Sequence, residues 1–173
     1  MPWNTDPAHS SITFSGKHML VATVRGKFNS FQLDANVDES NLARSTGTLT
    51  IDAASIDTGI EQRDNHVRSA DFLDVENHPK IVFTLKRIEP HGDEYRLIGD
   101  LAIRGVTHEV ALDAEIEGPL QDPWGGTRIG LSAEGKISRK DWGVNFNAPL
   151  SAGGVVVGDT VKIGIDLELV KAA

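Results

Sequence analysis

Apolar and polar residues alternate with a period of two through most of this chain, and that pattern limits the fold more than any other feature. Neighbouring side chains on a strand point to opposite faces, so the alternation marks strands with one buried and one wet face. In VKIGIDLELV, Val161, Ile163, Ile165, Leu167 and Leu169 alternate with Lys162, Gly164, Asp166, Glu168 and Val170. Ile12 and Phe14 alternate with Ser11, Thr13 and Ser15, and Leu49 and Ile51 with Thr48, Thr50 and Asp52. Leu97, Leu101 and Ile103 share one parity, as do Val110, Leu112, Ala114 and Ile116, and then Ile129, Leu131, Ala133 and Ile137. Turn signals at HGDE near Gly92 and IRGVTHE at Gly105 fit antiparallel hairpins. The pattern predicts about eight strands, arranged as a barrel or a sandwich.

Composition narrows the partners. The 173 residues, 39% of them hydrophobic, suffice for one domain with a core, so residues 1–173 are read as a single unit. A formal net charge of -8 opposes a phosphate backbone or an anionic membrane surface as partner. No cysteine is present, which removes disulfides, thiolate metal sites and cysteine nucleophiles. MPWNTDPAHSS has neither a basic region nor an apolar run of a secretory signal, and no later segment is apolar enough for a spanning helix. The expectation is a soluble, cytoplasmic protein without stable membrane insertion, although a mature exported domain would read the same way.

One stretch reads as helix. Asp57 or Thr58 is placed to cap IEQRDNHVRSA, where Ile60, Arg63, His66 and Val67 share a helical face for roughly two turns. The following residues, through NHVRSADFLDVENHPKIVFTL, hold His66, Arg68, Asp71, Asp74 and His78 ahead of an apolar run. As metal ligands, His66, Asp71, Asp74 and His78 match neither a helical His-Glu-x-x-His pattern nor a calcium loop. As catalysts they lack a nucleophile elbow, since Gly-x-Ser-x-Gly occurs nowhere in the chain. The favoured reading is a structural clasp. Phe72 and Leu73 plug beneath the helix, Arg68 pairs with an acid such as Asp71, and Pro79 releases the chain into the next strand.

Other signals carry little chemistry. GLSAEGK from Gly130 has P-loop spacing, but Ile137 stands where a hydroxyl should bind magnesium. SAGGVVVGD around Gly153 and Gly154 lacks dinucleotide-loop spacing and reads as a loop. The six histidines, including His9, His18, His91 and His108, are scattered. No metal and no cofactor is expected.

DPAHSSITFSGKHM, IEQRDNHVRSADFLDVENHPKIVF, LIGDLAIRGVTHEVAL, GKISRKDWGVN and VGDTVKIGIDLEL together resemble the YceI family, in family order and across nearly the whole chain. The resemblance implies an all-β fold, an extended eight-stranded antiparallel lipocalin-like barrel with one short helix. It also implies a binding module for a polyisoprenoid or other long-chain lipid, with no assigned catalytic activity. The first strand has Gly16 followed by Lys17 and His18, so it lacks the Gly-x-Trp of lipocalins proper.

On that basis the apolar parity positions Ile12, Phe14, Phe28, Leu49, Phe83, Leu101, Ile103, Leu112, Leu131, Ala133, Ile163 and Ile165 are the candidate ligand-binding residues, with Trp142 as a mouth residue. Plain core packing is the alternative role for all of them, because any β domain needs such alternation. An enzyme acting on an isoprenoid or quinone, and a stress-related protein-binding barrel without ligand, are the competing functions. A homodimer stays open.

Overall fold

The alternating segments form strands that pair with their successors in a single antiparallel sheet. In this computed structural model, residues 3–19, 21–147 and 157–171 are described. The strands are β1 (Trp3–Thr5), β2 (Ser11–His18), β3 (Ala22–Phe28), β4 (Phe31–Asn36), β5 (Thr46–Asp52), β6 (Ile56–Asp57), β7 (Lys80–His91), β8 (Glu94–Ile103), β9 (Val106–Gln121), β10 (Thr127–Ser138) and β11 (Val157–Lys171). A single α-helix among the described residues, α1 (Glu61–Arg68), follows β6. Strand by strand the sheet therefore has eleven members rather than about eight. β1 and β6 are pieces of three and two residues, and β3 and β4 are short. Gly153 and Gly154 lie outside the described residues.

The order across the sheet is β4-β5-β7-β8-β9-β10-β11-β2-β3-β6, with β1 also on β11. The C-terminal strand thus joins the N-terminal strands to the central meander. β1 and β2 share one edge of β11, with Thr5 opposite Leu169 and Ser11 opposite Asp166. The sheet curls into a half-barrel, and the ends of its ladder, β4 and β6, meet through loop contacts. Asp52 N–H donates to Ser30 O at 2.9 Å, Asn29 N–H to Ser55 O at 3.1 Å, and Ser30 Oγ to Asp52 Oδ2 at 2.9 Å.

Cross-strand register carries the apolar parity around the curl. Ala133 stands opposite Ile165, Ile165 opposite Ile12, and Ile12 opposite Phe28. On the other side Leu49 faces Phe83 and Phe83 faces Leu101. These residues and their neighbours form one core in which Leu49, Leu112, Ala114 and Trp142 are almost wholly buried. Burial of apolar area on this scale drives the curl, since a flat sheet would leave that face in water.

The helix is held by devices other than a side-chain N-cap. Its N-cap position is Ile60, and the buried Asp64 instead reaches back to accept from Thr58 N–H at 2.8 Å and Thr58 Oγ1 at 2.5 Å. Asp57, the other expected cap, accepts from Gly59 N–H at 2.9 Å. The expected Arg68–Asp71 pair does not form. Arg68 donates to Ala54 O at 2.8 Å, Ile56 O at 2.9 Å and Asn65 Oδ1 at 3.0 Å, tying the helix to the β5–β6 connection. The guanidinium fork thus takes two backbone carbonyls in preference to an exposed carboxylate.

Candidate lipid-binding cavity

Between the curled sheet and α1 lies a cavity of about 670 Å³. β2 and β3 contribute Ile12, Phe14, Val24 and Phe28, while β5 and β7 contribute Leu49, Ile51, Ile81 and Phe83. β8 and β9 add Leu101, Ile103 and Leu112, and β11 adds Val161, Ile163 and Ile165. The helix and the chain after it supply Ile60, Arg63, His66, Val67, Phe72 and Leu73. The face Ile60, Arg63, His66 and Val67 expected of the helix is the face it turns to this space.

Eleven of the thirteen sequence-nominated residues therefore line one cavity. Leu131 and Ala133 do not. They sit farther along β10, where Leu131 is flanked by Ile116 and Leu167 and Ala133 by Ala114 and Ile165, so side chains fill that end. Trp142 lines the cavity but is not at its mouth. It is 2% exposed, its Nε1–H donates to Leu101 O at 2.9 Å, and its ring meets His108 edge-on at 5.2 Å. A buried indole needs such an acceptor, and this one anchors the turn after β10 to β8.

Glycines widen the bore. A Cβ at Gly26 would come within 2.4 Å of the Phe14 ring, one at Gly99 within 2.5 Å of the Phe83 ring, and one at Gly135 within 2.7 Å of Leu112 Cδ2. Each large side chain lies over a neighbouring strand where a side chain is missing, and is thereby drawn out of the centre.

Strand parity alone misses the polar groups on the wall. Thr13, Lys17, His18, Gln62, Arg63, His66 and Arg139 are among the lining residues, contributed by strand ends, the helix and the turn after β10. No Asp or Glu is among them. Arg139, 6% exposed, is consumed structurally: it donates to Gly158 O at 2.9 Å, Val144 O at 2.6 Å and Val157 O at 3.2 Å. Burial pulls its pKa down, and Asp159 at 3.8 Å opposes that. Arg63 reaches Thr58 Oγ1 and Thr58 O through Nε and Nη2.

The clasp closes over the cavity with rings. His66, Phe72 and Phe146 are mutually in contact, at centroid distances of 5.0 Å, 4.9 Å and 5.2 Å. His66 Nε2 lies 3.0 Å from Asp71 Oδ2, and Phe72 O accepts from Arg104 Nη1 at 2.9 Å. The four nominal metal ligands are not gathered. His66 is with Asp71, Asp74 is with Asn77, and His78 packs against Gly105. A different trio, Asp6, His9 and Glu168, does come together, but Arg128 Nη1 lies 3.1 Å from Asp6 Oδ2 and 2.9 Å from Glu168 Oε1. That guanidinium makes the trio an ion-pair cluster.

The family model of the YceI-like domain matches residues 3–169. This chain belongs to the YceI-like family. A UPF0312 protein of Staphylococcus epidermidis is 40% identical over 167 residues, spanning 96% of this chain and 95% of that protein. Among solved structures, the YceI-like chain resembles BcnA of Burkholderia cenocepacia with a TM-score of 0.81 and 24% identity, covering 95% of this chain and 99% of that one. It also resembles a polyisoprenoid-binding domain from Saccharophagus degradans, implicated in plant cell wall breakdown, with a TM-score of 0.68 and 16% identity, covering 100% and 99%. At these identities the two structures share with it the YceI-like fold.

Proposed function

We propose that this chain binds a polyisoprenoid or similar linear lipid, a polyprenyl chain or a quinone tail, in the cavity between sheet and helix, and sequesters or carries it. The observation that supports this most is the wall itself. Aliphatic and aromatic side chains from nine strands and the helix converge on about 670 Å³, within the range of small-molecule sites. Branched, unsaturated hydrocarbon suits such a wall, because each buried CH2 contributes about 0.8 kcal/mol and no charged anchor is required. The binding function named for the Saccharophagus domain of the same fold points the same way. The polar rim of Lys17, His18 and Arg63 leaves a place for a head group at one end while the tail fills the apolar depth.

Binding rather than catalysis fits the chemistry of the rim. His66 and Asp71 form a pair, and the serine beside them, Ser69, spends its hydroxyl on the backbone, donating to His66 O at 2.6 Å and accepting from Asp71 N–H at 3.3 Å. The deciding experiment is mass spectrometry of an organic extract of the purified native protein. A long-chain lipid in substantial molar ratio is the expected result, and extracts that repeatedly hold none would remove the carrier reading. An isoprenoid that the protein returns chemically altered would favour an enzyme instead.

A further inference from the structure

We propose that the cavity's mouth end docks onto an anionic lipid bilayer, with the tip of the β2–β3 hairpin entering the head-group layer. The net charge of -8 argues against such a partner only if charge is spread evenly, and it is not. From Ser10 to Leu33 the chain carries no acid at all but has Lys17, Arg25 and Lys27. The outer wall shows the same division along β11. Toward its C-terminal end, Glu168 and Asp166 point outward, with Glu117 across from Gly130 and Glu115 across from Ser132 on the adjoining ladder. Past Gly164 the cations prevail, since the acid there, Asp159, is paired with Lys140 at 3.5 Å and Arg139 at 3.8 Å: Lys162 stands directly opposite Lys136 on one side and Ser15 on the other, and Ser15 stands opposite Arg25. Lys17 is one step nearer the mouth, opposite Thr23.

Lys136, Lys162, Arg25 and Lys17 are all exposed, and none has an ion pair among the described residues. Two lysines directly opposed across a ladder are destabilising, so folding gives no reason for the Lys136–Lys162 pair. An anionic partner does.

The hairpin tip supplies the apolar half of the surface. Met19 is 44% exposed and Val21 85% exposed, and Met19 takes a positive φ of 54° where the chain turns. This tip adjoins His18, which lines the cavity, so a bilayer at the tip is continuous with the apolar interior. A second exposed apolar tip, Leu120 and Trp124, at 66% and 80% exposure, provides the contrast. It lies at the other end of β11, roughly 45 Å away along the strand at about 3.3 Å per residue. There Glu115, Glu117, Asp122 and Glu168 lie around Leu120, and the one cation among them, Arg128, over the Trp124 ring at 5.9 Å, is already paired with Asp122 and Glu168, so an anionic surface would be repelled. The charge polarity thus orients the molecule mouth-first, which rests its purpose on lipid exchange as proposed above.

Co-sedimentation of the purified full chain with vesicles tests this, using phosphatidylglycerol and phosphatidylcholine in equal parts against phosphatidylcholine alone. Binding is expected to the anionic vesicles and to fall as salt rises. Changing Lys136→Gln and Lys162→Gln together, which also relieves their mutual repulsion, should weaken it by tenfold or more, at roughly fivefold per cation. Val21→Asp should weaken it strongly, whereas Trp124→Asp should leave it unchanged. Equal binding to neutral vesicles, no binding at all, or equal loss from Val21→Asp and Trp124→Asp would overturn the proposal. These vesicles contain no polyprenyl lipid, so a chain that docks yet yields no lipid extract supports docking and removes only the carrier reading.

Discussion

The Phe14 ring occupies the space that a side chain at Gly26, its direct cross-strand partner, would need. Phe14 also contacts Phe28 at a centroid distance of 5.5 Å, so the glycine fixes the outer position of a two-ring wall. Gly26→Ala must push Phe14 inward, because the intruding Cβ would lie 2.4 Å from the ring. The expected outcome is a smaller cavity that retains shorter or fewer lipids, with a stability loss of about 1–3 kcal/mol from overpacking. Lipid content by mass spectrometry and urea unfolding on the same variant check both parts.

Arg68 and Asp71 belong to different interactions and should respond differently to removal. Arg68→Ala strands two carbonyls, at Ala54 and Ile56, and frees the helix from the β5–β6 connection. A loss of about 2–3 kcal/mol is expected from lost charge-assisted hydrogen bonds. Asp71→Ala removes only a half-exposed contact with His66, and stability should move by less than about 0.5 kcal/mol. Thermal melting of both variants decides, and equal losses would restore the direct pairing of these residues.

Period-two alternation made the long strands legible, because β7 to β11 each hide one face and wet the other. β3 showed it only at Phe28. Its other inward positions, Ala22, Val24 and Gly26, make a weak apolar stripe, and Gly26 is bare because the Phe14 ring fills its place. The cavity wall was readable where a strand supplied it, as at Ile12, Phe83 and Ile163. Its other half was readable only at Phe72 and Leu73, because whether Val144 or Phe146 faces a cavity depends on how a non-repeating segment folds back, and no periodicity records that. Arg68 shows the same limit: its acceptors are backbone carbonyls, which every residue has. Parity also cannot say how far along a strand a cavity extends, and for that reason Leu131 and Ala133 looked equivalent to Ile163.

Ala133→Phe tests that last distinction. Ala133 is 3% exposed and stands between Ala114 and Ile165; Ile165 is on the cavity wall and Ala133 itself is not. The added ring has no ligand space to enter, so a cost of roughly 1–3 kcal/mol is expected while bound-lipid length stays that of the wild type. Melting temperature and lipid mass spectrometry on this one variant provide the check. Unchanged stability with shortened lipid would extend the cavity to this level.

Acid and base should each loosen the N-terminal strand, through Asp6 and His9. Asp6 N–H donates to Glu168 O at 2.8 Å, its carboxylate lies 2.9 Å from His9 Nδ1, and Glu168 Oε2 lies 3.3 Å from the same ring nitrogen. The hydrogen bond with Asp6, then the charge of Glu168, raises the His9 pKa above its ordinary 6.5. The bond with His9 lowers that of Asp6 below 3.8, helped by Ala8 N–H and Arg128. For His9 the folded form binds its proton more tightly, so this contribution is complete below pH 6.5 and disappears as pH rises through the raised value. For Asp6 the sign is opposite: the contribution is present above pH 3.8 and disappears as pH falls through the lowered value. The β1–β11 junction should therefore be tightest between these limits. Amide exchange at Trp3 to Thr5, corrected for the intrinsic pH dependence of exchange, should show least opening there and more above neutrality. His9→Gln should abolish the alkaline rise and also weaken the acid limb, leaving only the part of the Asp6 effect that Ala8 N–H and Arg128 supply. An alkaline rise that persists in that variant would assign it to another group.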